Sequence, residues 1–176
     1  MKKVLNRLLV LCILFFISIS FIPVTVAAEE NKNNIVFDLS NPMAQSITVI
    51  ENNQKVTYYM SEELLMKDNR EIVPLGSFSR DFKRTDDNIT MQARFTGSVN
   101  PYFSSITNVS NGIFNARYGH FIRERYYANQ KYGDYGSGKY SVDYSSQYGT
   151  YTISLVAYVI PGQTGGNVKL FFSEGI

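Results

Sequence analysis

Apolar and polar residues alternate with a period of two through much of this chain, and helical spacing is almost absent. In "NITMQARFTG", Ile89, Met91, Ala93 and Phe95 fall on one side and Thr90, Gln92, Arg94 and Thr96 on the other, the pattern of a strand half-buried against a core. "KYSVDY" repeats it, with Tyr140, Val142 and Tyr144 set against Lys139, Ser141 and Asp143. "TYTISLVAYVI" carries no charge and suits the middle of a sheet. "IVFDL" and "VKLFFS" read as short strands near either end of the domain. "AQSITVIENNQKVTYYM" reads as a hairpin turning within Glu51–Gln54, and "YFSSITNVSNGIFNARYG" as two strands joined by a Ser110-Asn111-Gly112 turn. "HFIRERYY" reads as a strand with Phe121, Arg123 and Arg125 on one side, or as a short helix.

Two stretches break the rhythm. "SEELLMKD", from Ser61, is the one helix candidate, with a capping serine and two glutamates in the first turn. Residues 72–87, "IVPLGSFSRDFKRTDD", mix apolar and charged positions without a clean period and read as a connection with one irregular strand. The sum is seven to nine short strands punctuated by Gly/Asn turns, which predicts an all-β fold. The expected architecture is an antiparallel β-sandwich or small barrel with at most one short helix.

The first 28 residues stand apart. Lys2, Lys3 and Arg7 precede an apolar run from Leu8 to Ile22, Pro23 ends it, and Val26 and Ala28 sit where a signal peptidase accepts small residues. The expectation is a signal peptide over residues 1–28, cleaved after Ala28, and a single secreted domain over residues 29–176 without stable membrane insertion. The run is short for a span of about 30 Å of hydrocarbon. Cys12 lies inside it, too early to begin a lipidated chain, and it is the only cysteine. The domain after cleavage therefore has no disulfide and no thiol chemistry.

The leader also distorts the charge. Of seventeen basic residues, three lie in it, which leaves fourteen against fifteen acidic ones. A near-neutral domain lacks the field that draws proteins to nucleic acid, so no nucleic-acid partner is expected.

The lysine-led leader, "VFDL" and the "QSITVIENNQKVTYYM" hairpin resemble a group of small exported proteins of Gram-positive bacteria over roughly residues 1–60. That resemblance implies a single small extracellular all-β domain of unknown function and supplies no catalytic residue.

Ten of the thirteen tyrosines lie between Tyr118 and Tyr158, with the only histidine. One imidazole cannot make a His-rich zinc site, and no Gly-x-Ser-x-Gly elbow, phosphate-binding loop or dinucleotide glycine signature is present. His120 as a general base, and Glu124, Asp134 and Asp143 as a hydrolytic carboxylate pair, are outweighed by ordinary surface and turn roles for these residues. "TDDN" at 85–88 and "GDYGSG" lack the spacing of a calcium loop. No catalytic residue, metal or cofactor is assigned.

Tyrosine beside glycine and serine is the composition of recognition loops, because it offers large amphipathic contact area at low entropic cost. Tyr140 and Tyr144 share a face with Val142 and belong to the core or a groove wall. Tyr132 and Tyr135 lie in a loop that cannot bury both rings. Arg123 and Arg125 are close in sequence, and arginine with tyrosine suits polyanionic glycans or acidic protein patches. The expected function is a secreted, non-enzymatic binding domain at the cell surface. Its candidate ligand residues are Arg123, Arg125, Tyr132 and Tyr135, and its candidate partners are cell-wall glycan or a surface protein. A secreted antimicrobial or antagonistic polypeptide and a weak extracellular glycan hydrolase are the alternatives.

Overall fold

The computed structural model describes residues 35–63, 76–129, 135–163 and 165–175. The proposed leader, Tyr132, Asp134 and most of the helix candidate lie outside the described residues. Among those described, Ser61–Glu63 are not helical and there is no helix at all.

Ten strands form two five-stranded antiparallel sheets packed as a sandwich: β1 (Ile35–Asp38), β2 (Gln45–Glu51), β3 (Gln54–Met60), β4 (Ser77–Thr85), β5 (Ile89–Val99), β6 (Ser104–Ala116), β7 (His120–Asn129), β8 (Gly136–Ser146), β9 (Gly149–Ile160) and β10 (Asn167–Gly175). The first sheet has the order β1-β10-β9-β8-β7 and the second β2-β3-β4-β5-β6. The chain thus builds one meander from β2 to β6, crosses at 117–119, and builds another from β7 to β10. β1 then pairs with β10 and brings both ends of the domain together.

Local chemistry explains the joints. Asn52 and Asn53 both take positive φ, 50° and 61°, as a two-residue hairpin turn requires, and asparagine tolerates this better than most side chains. Asn111 also has a positive φ, 52°, but it does not end a strand. β6 runs through it as a single strand of 13 residues, and the turn expected at 110–112 is instead a bulge where the pairing with β5 shifts. The same φ that makes a turn makes a bulge when both flanking segments find partners on one neighbouring strand. Gly112 permits the bulge, since a Cβ there would lie 2.4 Å from the Tyr140 ring.

A second difference concerns β4, expected to be irregular. It is a regular nine-residue strand paired along its length with β5. Its inward positions are Phe78, Arg80, Phe82 and Arg84, all buried. Two arginines inside a sandwich hide the alternation that apolar residues would have displayed.

The core lies between the sheets. Phe82 packs edge-on to Phe95 at 5.5 Å and tilted to Phe37 at 6.2 Å, joining β1 to β4 and β5 across the layers. Met91, Ile106, Val142, Ile153, Leu155 and Leu170 fill the space around them. One end of the sandwich is closed by hydrogen bonds. The Gly136 N–H donates to Ser104 Oγ and that hydroxyl donates to the Val159 carbonyl, each at 2.6 Å. Close approach of the two sheets requires glycine there, because a Cβ on Gly136 would sit 2.5 Å from the Ser105 backbone.

Arg80, 1% exposed, is the deepest charge among the described residues. Its Nη1 donates to the carbonyls of Pro42 and Ser61 and its Nη2 to that of Asn41, each at 3.0 Å. Burial lowers its pKa, which nearby Glu63 and Glu62 oppose. Carbonyls turned away from water need donors, and this guanidinium supplies them to the segment crossing from β1 to β2 and to Ser61 just after β3.

Candidate binding face

Because side chains alternate across a strand, the odd-numbered residues of β8 point away from the core. Their ladder partners point the same way and compose the outer face of the first sheet in rows. Arg123, Asp143 and Thr152 form one row, Arg125, Ser141, Ser154 and Ser173 the next, Tyr127, Lys139, Val156 and Phe171 a third. Ser137, Tyr158, Lys169 and Val36 follow.

At one end, two arginines converge on one carboxylate. Arg123 Nε donates to Asp143 Oδ2 at 2.5 Å, while Arg125 donates through Nη1 to Oδ2 at 2.9 Å and through Nη2 to Oδ1 at 2.6 Å. The Thr152 hydroxyl donates to Oδ1 at 2.7 Å. All four lone-pair positions of Asp143 are thereby occupied. The Thr152 hydrogen bond, followed by those from Arg123 and Arg125, holds its carboxyl well below the usual range. The arginine side chains are 66% and 45% exposed against 9% for Asp143, so the carboxylate anchors two cations that face solvent. Among the described residues, the Nη groups of Arg123 have no acceptor.

At the other end lies an apolar shelf. Tyr135, 57% exposed, meets Tyr158 edge-on at 5.7 Å, and Tyr158 meets Phe171 edge-on at 5.4 Å. Lys169 Nζ stands 5.0 Å from the centre of the Phe171 ring, and Val156 and Ile160 complete a shallow groove of about 670 Å³. Tyr135 and Arg125 therefore share a sheet face but do not touch. The four-residue step along β8 from Ser141 to Ser137 separates the Arg125 row from that of Tyr158, against which Tyr135 packs, by roughly 14 Å. Strands β7 to β10 present four outward cations, Arg123, Arg125, Lys139 and Lys169, against Asp143, with Asp38 at the margin on β1.

The expected partition of β7 is corrected at one point. A register shift places Phe121 opposite Tyr144 and Arg123 opposite Asp143, so Ile122 is bulged and Phe121 lies on the core side, away from Arg123 and Arg125. The bulge falls on an edge strand, where such irregularities blunt pairing with other chains. Tyr140 and Tyr144 are buried, as expected from their shared face with Val142. Burial, and then its hydrogen bond to Glu124, raise the pKa of the Tyr140 hydroxyl.

Glu124 points to the core side of the sheet and Asp143 to the outside, so these acids do not flank a common substrate position. His120 is exposed, opposite Ser145, and among the described residues no side-chain hydrogen bond links its imidazole to a serine or a carboxylate. Asp86, the first of the two acids of "TDDN", accepts the N–H groups of Asn88 and Ile89, each at 2.7 Å, as a turn residue does. No three His, Cys, Asp or Glu side chains among the described residues gather as metal ligands.

No family model matches this chain, and no curated protein matches it. Among solved structures, a hypothetical protein of Listeria monocytogenes EGD-e is similar at a TM-score of 0.46 and 15% identity, over 78% of this chain and 100% of that one. A likeness that distant, to a protein of unknown function, carries no reading of a site.

The residues that sequence reasoning missed are Asp143 as an anchor and Val156, Tyr158, Lys169 and Phe171 as a shelf. Tyr158 follows Val156 on an outward face of β9 that is apolar toward its end, and Phe171 lies next to Phe172 on β10, where paired rings obscure which one is exposed.

Proposed function

We propose that this chain is a secreted, non-enzymatic binding domain that acts at a cell surface through the outer face of its first sheet, with an anionic cell-wall glycan as partner. The observation that carries this reading is the juxtaposition on one face of four cations with an aromatic shelf. Arg123 is pre-oriented through its Nε bond to Asp143, so less side-chain entropy is lost when its Nη groups, without an acceptor among the described residues, meet an anion. The shelf offers ring faces and edges to the apolar side of a sugar. Charge and stacking spread along rows suit a polymer better than a compact ligand. Export is supported by the layout of residues 1–28.

The test is cosedimentation of the purified protein with isolated Gram-positive walls, before and after their anionic polymers are stripped. Binding is expected to fall about tenfold between 50 and 500 mM salt, because exposed charge pairs are screened. Tyr158→Ala and Lys169→Ala are each expected to weaken binding by roughly three- to tenfold. Salt-independent binding, or equal binding to stripped walls, would remove the anionic polymer as the partner.

A further inference from the structure

A further concave feature among the described residues lies at the end of the sandwich away from Ser104 and Gly136. There the β2–β3, β4–β5, β6–β7 and β8–β9 turns and the end of β10 surround a cleft of about 500 Å³, within the roughly 300–1,000 Å³ of small-molecule sites. Arg84 forms its inner wall. Its guanidinium lies 3.8 Å over the Phe172 ring, Nη1 donates to Asp86 Oδ2 at 2.5 Å and Nη2 to Glu51 Oε2 at 3.4 Å. The side chain is 7% exposed, and its Nε has no acceptor. Glu51 also accepts from the Tyr58 hydroxyl at 2.9 Å. This is a rigid, charged floor where a sandwich would ordinarily end in apolar residues.

We propose that this cleft is a saccharide site, taking a pyranose unit that carries no negative charge. Three features favour that class. Aromatic rings are present at two depths: Tyr144 and Phe172 inside, Tyr118 and Tyr148 at the rim, 61% and 80% exposed. The exposed rim rings offer negative faces that attract the C–H groups of a sugar ring, above inner rings already packed by Arg84 and Tyr151. Planar polar groups stand beside them, with the amides of Asn52, Gln54 and Asn88 able to donate and accept toward vicinal hydroxyls. Finally, Glu51, Asp86 and Glu174 outnumber Arg84 among the lining charges, and Glu174 has no cationic partner among the described residues. That excess repels carboxylated or phosphorylated sugars and accepts hydroxyls or an ammonium. The sign is opposite to that of the outer sheet face, so the cleft and the face take different ligands, and this inference does not rest on the wall-polymer reading.

The experiment is an amide-resolved NMR titration of the full-length protein with three probes: a glucosamine tetramer, an N-acetylglucosamine tetramer and a galacturonic acid tetramer. The first two are expected to shift Asn52, Asn88 and Tyr148, and the third is not. Tyr148→Ala with Tyr118→Ala, both at exposed rims that leave the core intact, should weaken both tetramers by about tenfold. Glu174→Gln should weaken only the amino tetramer, by roughly threefold. Absence of shifts at millimolar concentrations of either tetramer, equal response to the galacturonate, or indifference to the paired tyrosine substitutions would each overturn the proposal. Lys169→Ala, on the outer face, should leave all three titrations unchanged.

Discussion

β4 and β7 each carry two arginines on one face, four residues apart in β4 and two apart in β7, and the pairs do opposite things. Arg80 and Arg84 point inward and are buried; Arg123 and Arg125 point outward and remain largely in solvent. Register decides which. β4 lies inside its sheet between β3 and β5, so its even positions face the other layer, and an arginine there must find partners at once. Arg80 finds backbone carbonyls, whereas Arg84 finds Asp86, Glu51 and the face of Phe172. β7 is an edge strand, and its arginines share a single carboxylate while keeping donors for a ligand. The lesson is that arginine at strand spacing is not by itself a binding signal. What matters is whether its donors are already engaged, and by what.

Removing the inward pair should have the largest effects. Arg80→Met leaves the carbonyls of Asn41 and Ser61 without this donor and that of Pro42 with only the Glu63 N–H, and losing several charge-assisted hydrogen bonds at a buried site costs about 3–5 kcal/mol. The expected outcome is a fall of roughly 2 M in the urea midpoint. An unchanged midpoint would mean that water satisfies these carbonyls equally well.

Arg84→Met should cost less, about 2–4 kcal/mol, because methionine keeps packing on Phe172 while Glu51 retains the Tyr58 hydroxyl and Asp86 its two backbone donors. Calorimetry of the variant would measure it. In the native protein burial alone would lower the Arg84 pKa, but hydrogen bonding and attraction from Asp86 outweigh it and the net shift is upward. Hence Arg84 stays charged at every pH at which the domain folds, and the variant should lose stability uniformly across neutral pH.

The outward pair should show its effect mainly through pH. The Asp143 carboxyl is depressed in the fold, so its contribution is fully present above the ordinary aspartate value near pH ~4 and is lost as pH falls through the folded value. In Asp143→Asn, thermal stability should therefore decline less steeply than in the native protein between about pH 4 and pH 2. Parallel slopes would show that Asp143 does not contribute through its charge. At neutral pH the same variant releases Arg123 and Arg125, and its wall binding should weaken because the cations are no longer held in place.

Much of the fold was legible along the chain. The alternation at 89–96 and 140–144, the uncharged run at 151–160 and the Asn52–Asn53 turn each appear where expected. β4 was obscured because its inward positions alternate phenylalanine with arginine, and a buried ion cannot be recognised until its partners, dozens of residues away, are in place. β6 was divided at Asn111 because one left-handed residue serves equally in a turn or a bulge. For the candidate site, Arg123, Arg125 and Tyr135 were visible as residue types. That Asp143 draws the two arginines together, and that Tyr158 and Phe171 extend Tyr135 into a shelf, was not.

Local pattern alone determined the class of this protein: short alternating strands, asparagine and glycine joints, a core able to form without a disulfide, and an export-like leader. Tertiary structure alone decided which aromatic rings are outward, which arginines are satisfied by the fold, and where two concave surfaces of opposite charge lie. The reason is range. Alternation and turn preference act between neighbours, so a sequence displays them directly. Burial of a charge and exposure of a ring depend on the opposing sheet and on cross-strand partners, which exist only after the strands have chosen their register.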